Sequence, residues 1–244
     1  MSGLSGRIAL VTGASRGIGY QTALALAKAG ARVIAVSRTK AGLEELDDEI
    51  LAATGQRAVL VPLDLKNGKE IDQLGAILFE RFGKLDILVH AAGELGLITP
   101  VAHLEPNTWE RAVAVNMTST FRLIRSFDPL FRRSEAARAI FLTSKVGSEP
   151  RAFWGAYAAT KAGLESLVEC YAQEMEHTAV RCCIVDPGQM RTKMHATAFP
   201  GADPDTINPP ERIAPLMVEL ARGDIEPPRR VRFSEWAATS VPAS

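Results

Sequence analysis

Short, continuous apolar runs alternate with helix-length stretches along most of this chain, and that alternation restricts its fold more than any other feature. "RIALVT" (7–12) leads into helical sequence that runs to Gly30, and "RVIAVS" (32–37) precedes "KAGLEELDDEILAAT" (40–54). "AVLVP" (58–62) is followed by "GKEIDQLGAILFERFG" (68–83) and then by "DILVHAAG" (86–93). "AIFLT" (139–143), "VRCCIVD" (180–186) and "RVRF" (230–233) also read as strands, with long helical stretches around Trp109–Phe131, Ala152–Glu176 and Ile213–Arg222. Strands apolar on both faces belong to a parallel sheet covered on both sides. Right-handed crossovers then predict an α/β, doubly wound architecture. The segment 187–210, rich in Pro, Gly, Ala and Asp, is too long for an ordinary connection. It is either a functional lid or disordered, and a substrate lid is expected.

With 244 residues, 47% of them hydrophobic, the chain is sized for one domain spanning 1–244. Lys plus Arg number 28 and so do Asp plus Glu, which removes any electrostatic case for a nucleic-acid or membrane partner. "MSGLSGRIAL" lacks a signal-peptide pattern, and no run reaches the roughly 18 apolar residues of a membrane span. A cytoplasmic protein is expected. Cys170, Cys182 and Cys183 have neither metal-ligand spacing nor a disulfide framework, so no metal site is predicted. On a strand, adjacent Cys182 and Cys183 point to opposite faces as small hydrophobes.

"TGASRGIG" (12–19) follows the first strand and opens a helix. Its glycines, Gly13, Gly17 and Gly19, allow a sharp turn and bring backbone N–H groups close to a pyrophosphate at the positive helix end. Tight strand–helix packing alone is the competing explanation. Further on, "WGAYAATKAG" (154–163) sets Tyr157 four positions before Lys161, one turn apart on a single helix face. A phenol and an ammonium so placed are either a surface pair or an acid with the cation that tunes it.

Taken in order, "TGASRGIG", "HAAG" (90–93), "VN" (115–116), Ser144 after "AIFLT", "YAATK" (157–161) and "DPG" (186–188) with Thr192 beyond it resemble the short-chain dehydrogenase/reductase family. The resemblance runs from about Arg7 to Thr192. It implies a Rossmann-type sheet of about seven strands, a nicotinamide cofactor and interconversion of a carbonyl and a secondary alcohol. It also implies a catalytic set of Asn116, Ser144, Tyr157 and Lys161. Tyr157 is the expected acid/base. A free phenol titrates near 10, and a neighbouring ammonium lowers that value, which is the job expected of Lys161. Ser144 would donate a hydrogen bond to the substrate oxygen. By resemblance, Lys161 also binds the nicotinamide ribose, and Asn116 continues a proton relay to it. The competing readings are a helix cap for Ser144 and a local backbone binder for Asn116.

Cofactor contacts are expected from Gly13, Ser15, Arg16, Gly17, Ile18 and Gly19 of the glycine loop. They are also expected from Ser37 and Arg38 after the second strand, Asp64 and Leu65 after the third, and Ala91, Ala92 and Gly93 after the fourth. Tyr157, Lys161, Pro187, Gly188 and Thr192 complete the set. The second strand ends without the carboxylate that receives a ribose 2′-hydroxyl, and Arg38, bracketed by Arg16, suits a 2′-phosphate. NADP(H) is therefore expected over NAD(H). Asp64 resembles the family aspartate that binds the adenine amino group, or it caps the helix that begins near Gly68.

Two departures stand out. His90 takes the place of the asparagine in the usual "NAAG", where a structural role is expected. The C-terminal "IEPPRRVRFSEWAAT" differs from the family's usual close. Leu95, Leu97, Phe153, Trp154, Met190 and Phe199 are candidates for an apolar substrate wall. Arg122, Arg125, Arg132 and Arg133 either receive an acidic carrier protein or form a solvated face. The main expectation is an NADP(H)-dependent oxidoreductase acting on a small carbonyl or alcohol. The alternatives are a reductase of 3-oxoacyl thioesters and a non-catalytic dinucleotide sensor. Apolar stripes at Phe121, Ile124, Phe127 and Phe131, and at Leu164, Leu167, Val168 and Tyr171, suggest a homodimer or homotetramer.

Overall fold

The computed structural model describes residues 3–240. Seven strands form one sheet in the order β3-β2-β1-β4-β5-β6-β7, every neighbouring pair parallel. They are β1 (Ile8–Thr12), β2 (Arg32–Ser37), β3 (Val59–Pro62), β4 (Ile87–His90), β5 (Arg138–Leu142), β6 (Arg181–Asp186) and β7 (Arg230–Arg232). Strands β1, β4 and β5 are buried along their whole length, as continuous apolar runs require. The order reverses between β1 and β4, and a crevice opens there beyond the C-terminal strand ends.

Helices α1 (Gly17–Lys28), α2 (Lys40–Thr54) and α3 (Gly68–Phe82) follow the first three strands. Helix α4 (Pro106–Ala112) passes through a π-helical turn, Val113–Thr118, into α5 (Ser119–Phe131). Then come α6 (Lys145–Ser148), α7 (Gly155–Glu174), α8 (Lys193–Ala198), α9 (Ala214–Ala221) and α10 (Phe233–Ser240). Leu24 and Leu26 of α1 and Leu216 and Leu220 of α9 pack on one face of the sheet. Leu74, Phe127, Phe131, Leu164 and Val168 of α3, α5 and α7 cover the other. Cys183 joins the first core and Cys182 the second, as alternation along a strand demands, whereas Cys170 is exposed.

This packing consumes most of the two apolar stripes. Ile124, Phe127, Phe131, Leu164, Val168 and Tyr171 are buried within the single chain, and of the α5 stripe only Phe121 stays well exposed, at 46%. The segment 187–210 is ordered into α8, a 3-10 turn at Pro204–Thr206, and a bridge between Met190 and Asn208. No helix among the described residues is long and apolar enough to cross a membrane, and no group of three or more His, Cys, Asp or Glu is placed to hold a metal ion.

Candidate active site

A cleft of about 460 Å³ lies over the C-terminal ends of β1 to β4. The glycine loop from Gly13 to Gly19 forms its floor, with Ser37, Arg38, Asp64 and Leu65 at one end and Ala91, Ala92, Gly93 and Thr192 at the other. Gly13 adopts φ +69°, and a Cβ there would come within 2.8 Å of the Ala92 amide nitrogen. Only glycine allows β1 and β4 to approach this closely at the turn. Gly17, at φ +58°, leaves room for the Thr192 methyl group, 3.2 Å from where a Cβ would sit. Helix α1 begins here with no acidic residue in its first turn, so its positive end is open to an anion.

Arg16 and Arg38 are exposed on the rim, and among the described residues neither meets a carboxylate within 4.0 Å. Two free guanidinium groups flank the end of β2 where an NAD-type site would hold a carboxylate. Ser37 Oγ donates to Ser15 Oγ at 2.7 Å and ties the β2 end to the glycine loop. Asp64 is not the cap of α3: Asn67 occupies that position and accepts from the Glu70 amide at 3.3 Å. The Asp64 carboxylate instead turns back to the Lys66 amide, at 3.0 Å. Arg191, Lys193, Met194 and Val115 also line the cleft. They were not expected, although two of them are cations flanking the predicted Thr192.

Tyr157 and Ser144 face a second cleft of about 680 Å³, and Ile18, Thr192 and Met194 are walls common to both. Pro187 and Gly188, expected at the cofactor, line this second cleft and not the first. Lys161 is buried on α7 behind them; its Nζ donates to the Leu142 carbonyl at 2.8 Å and lies 5.7 Å from the Tyr157 ring centroid. Ser144 stands at the N-terminus of α6 without capping it, so its hydroxyl is not committed to the helix.

Burial opposes one expectation here. The Tyr157 phenol is not lowered by Lys161 but held above its ordinary range, first by burial and then by the Asp186 carboxylate. Desolvation in this buried position penalises the phenolate, and the Asp186 carboxylate adds to that penalty. Burial also lowers Lys161, to about 8, against the opposing pull of Glu165. At neutral pH the pair therefore rests as a neutral phenol beside an ammonium.

Asn116 is fully buried in the π-helical turn, a backbone irregularity common at functional sites. Its Oδ1 accepts from the Glu94 amide at 2.8 Å, and its Nδ2 donates to the Glu94 carbonyl at 2.8 Å and to Thr160 Oγ1 at 2.9 Å. Gly93 lies between Asn116 and Lys161: a Cβ there would be 3.5 Å from Asn116 Oδ1 and 3.7 Å from Lys161 Nζ. Four segments distant in sequence thus meet around one lysine.

His90 is fully buried, and its hydrogen bonds define its state. Ser119 Oγ gives its one proton to the Val115 carbonyl at 2.6 Å, so it accepts from His90 Nε2 at 3.3 Å. His90 Nδ1 then accepts from Thr12 Oγ1 at 2.8 Å, and Thr12 Oγ1 accepts from the Ala92 amide at 3.2 Å. Burial and the nearby Lys161 charge push the imidazole down to about 3. His90 is a neutral strut joining β1, β4 and α5.

Of the expected substrate wall, Leu95, Trp154, Met190 and Phe199 line the second cleft. Leu97 and Phe153 do not, and are more than half exposed at 54% and 55%. The Phe199 ring, just beyond α8, sits 5.5 Å from Trp154, which in turn meets Tyr157 edge-on at 6.1 Å.

Comparison with known proteins finds relatives of the whole chain. The model of the short chain dehydrogenase family matches residues 7–203. The chain is 36% identical to an uncharacterised oxidoreductase, YciK, of Escherichia coli K12, over 91% of this chain and 88% of that protein. It is 34% identical to the 2,3-dihydro-2,3-dihydroxybenzoate dehydrogenase of Bacillus subtilis, over 79% of this chain and 73% of that one. Among solved structures, a short chain dehydrogenase from Shigella flexneri complexed with NADP superposes with a TM-score of 0.90 at 34% identity, over 95% of this chain and 98% of the other. One from Escherichia coli CFT073 complexed with NADPH gives 0.87 at 36% identity, over 91% and 92%. On the seven-stranded parallel sheet, the glycine loop and these likenesses together, the chain belongs to the short-chain dehydrogenase/reductase family and is an NAD(P)-dependent oxidoreductase.

Proposed function

We propose that this oxidoreductase binds NADP(H) and reduces a small carbonyl compound to an alcohol, with Tyr157 as proton donor. The carrying observation is that Tyr157 and Ser144 face a cleft which shares the walls Ile18, Thr192 and Met194 with the glycine-loop cleft. The first cleft fits a phosphorylated dinucleotide because of the close approach at Gly13, the acid-free start of α1, and the unpaired Arg16 and Arg38. Held there, a nicotinamide would supply the hydride for the carbonyl carbon. Ser144 orients the carbonyl oxygen and donates a hydrogen bond to the charge that develops on it. Tyr157 then gives that oxygen its proton, being protonated throughout the neutral range. Lys161 keeps a positive charge beside the resulting phenolate and stabilises it. Asn116 acts through position, fixing the Glu94 backbone and Thr160 around Lys161.

A carrier-protein thioester is a weaker reading. Arg122 and Arg125 are drawn to Asp72, at 3.2 and 3.7 Å, and Arg132 to Asp128, at 2.8 Å, while Arg133 rests over the Phe79 ring. Little free positive charge remains there to receive an acidic partner. The deciding experiment follows NADPH oxidation over a panel of aldehydes, ketones and 3-oxoacyl thioesters. Tyr157→Phe should lower kcat by about 10²- to 10⁴-fold, the usual worth of a positioned proton donor, with NADPH still bound. Near wild-type turnover in that variant would remove Tyr157 from the mechanism. Consumption of NADPH with thioesters alone would replace the small-carbonyl reading.

A further inference from the structure

The second cleft carries charge that the proposed chemistry does not use. Its lining cations are Lys145, Arg151 and Arg232. Lys145 pairs with Glu149 at 3.0 Å, and Arg232 with Glu235 at 3.4 Å. Arg151 meets no carboxylate within 4.0 Å among the described residues. Its guanidinium lies 5.8 Å from the Trp154 ring and 5.8 Å from the Phe199 ring. Arginine planes rest well on aromatic faces and leave their N–H edge free for a planar anion.

Two further observations belong to the same corner. His195, on α8, packs on Phe199 at 5.0 Å between centroids, and its Nε2 is buried with no hydrogen-bond partner. A buried polar atom without a partner is costly unless something completes it. Phe153, between Arg151 and Trp154, holds φ +73°, the one non-glycine residue with positive φ among those described. Left-handed backbone of this kind persists where surrounding structure enforces it, often at a ligand clamp.

We propose that the substrate bears an anionic group, a carboxylate or a phosphate, at the end remote from its carbonyl, and that Arg151 receives this group beside Trp154 and Phe199. The proposal rests on the carbonyl-reduction reading above. Trp154 neighbours both chemical ends: its ring is 5.8 Å from the Arg151 guanidinium and 6.1 Å from the Tyr157 ring. One small, flat molecule spans that interval, with its apolar body against Trp154, Met190 and Phe199. Because Phe199 comes from the segment beyond β6, an anion on Arg151 also helps to seat that segment over the substrate.

The test uses three aldehydes of similar size: 4-formylbenzoate, its methyl ester and 4-formylphenyl phosphate. With NADPH and the wild-type protein, one or both anions should exceed the ester in kcat/KM by about tenfold or more, the worth of one charged hydrogen bond. Whichever anion is favoured names the source. Arg151→Met, which keeps the aliphatic stem, should collapse the anion-to-ester ratio, and Arg151→Lys should restore part of it. Calorimetric binding of the same three compounds to protein saturated with NADP⁺ reads the subsite without turnover. Equal affinity for anions and ester, or a ratio unmoved by Arg151→Met, overturns the proposal. Preferential anion binding without reduction of any aldehyde keeps the subsite and overturns the carbonyl reading.

Discussion

His90 should make the fold acid-sensitive in a way its own replacement cures. In the unfolded chain its imidazole takes a proton near 6.5, whereas in the folded protein burial and Lys161 hold it down to about 3. Between those values the unfolded state binds a proton that the folded state refuses. The sign follows directly: stability is full above 6.5 and is lost as pH falls toward 3. Each pH unit inside that window costs about 1.4 kcal/mol, so lowering the pH from 7 to 5 removes about 2 kcal/mol through this one group. His90→Asn supplies hydrogen-bonding atoms at the same place without a titrating ring. It should be the weaker protein at pH 7, by about 1–3 kcal/mol, because the shorter side chain leaves a gap and one of Thr12 or Ser119 without its partner. Urea unfolding of both proteins at pH 7 and pH 5 separates the effects. Carboxylates contribute equally to both proteins, so the difference of differences belongs to His90. A variant that loses as much stability between the two pH values as the wild type would refute the reasoning, and would mean that the imidazole is protonated in the fold or that water reaches it.

Arg38→Asp should raise the NADPH dissociation constant by about 10- to 100-fold, the worth of a charged hydrogen bond to phosphate, with less effect on NADH. Fluorescence titration checks this, and equal wild-type affinity for the two cofactors would show that Arg38 does not meet a 2′-phosphate. Glu165 accepts from Thr143 Oγ1 at 2.5 Å, is clamped by Arg230 of the divergent C-terminal segment, and raises the Lys161 ammonium. Glu165→Gln should therefore move the alkaline limb of the kcat/KM profile to lower pH, and an unmoved limb would mean that Lys161 does not set it. Light scattering at micromolar concentration should give a dimer or larger; a monomer mass would mean that Phe121 and its neighbours on α5 have no partner.

Much of the fold was legible because its signals are local. A strand buried on both faces reads as a continuous apolar run, and a glycine needed for positive φ at Gly13 has few substitutes. The positions of Tyr157 and Lys161 followed from one turn of helix. The substrate wall was legible only in part. Leu95, Trp154, Met190 and Phe199 reach the cleft while Leu97 and Phe153 stay outside it, and side-chain type alone does not distinguish these. How much of the apolar stripes on α5 and α7 is covered by the chain's own sheet was not legible either, because it depends on how each helix is rotated against the sheet.

By itself, the sequence determined the order of elements, the glycine loop, the one-turn spacing of Tyr157 and Lys161 and the absence of a carboxylate after β2. These depend on contacts between near neighbours or on residue identity alone. Only the tertiary structure decided what each charge experiences. It raised Tyr157 where proximity to Lys161 argued for lowering, because burial acts through every surrounding element and not through one partner. It converted His90 into a neutral strut through Thr12 and Ser119, from strands and helices far apart in the chain. It left Arg151 without a carboxylate beside Phe199, a residue from the far side of β6, while Arg232 in the same cleft found Glu235. Electrostatic free energy is a sum over neighbours in space, and which residues become neighbours is settled by the packing of the helices on the sheet.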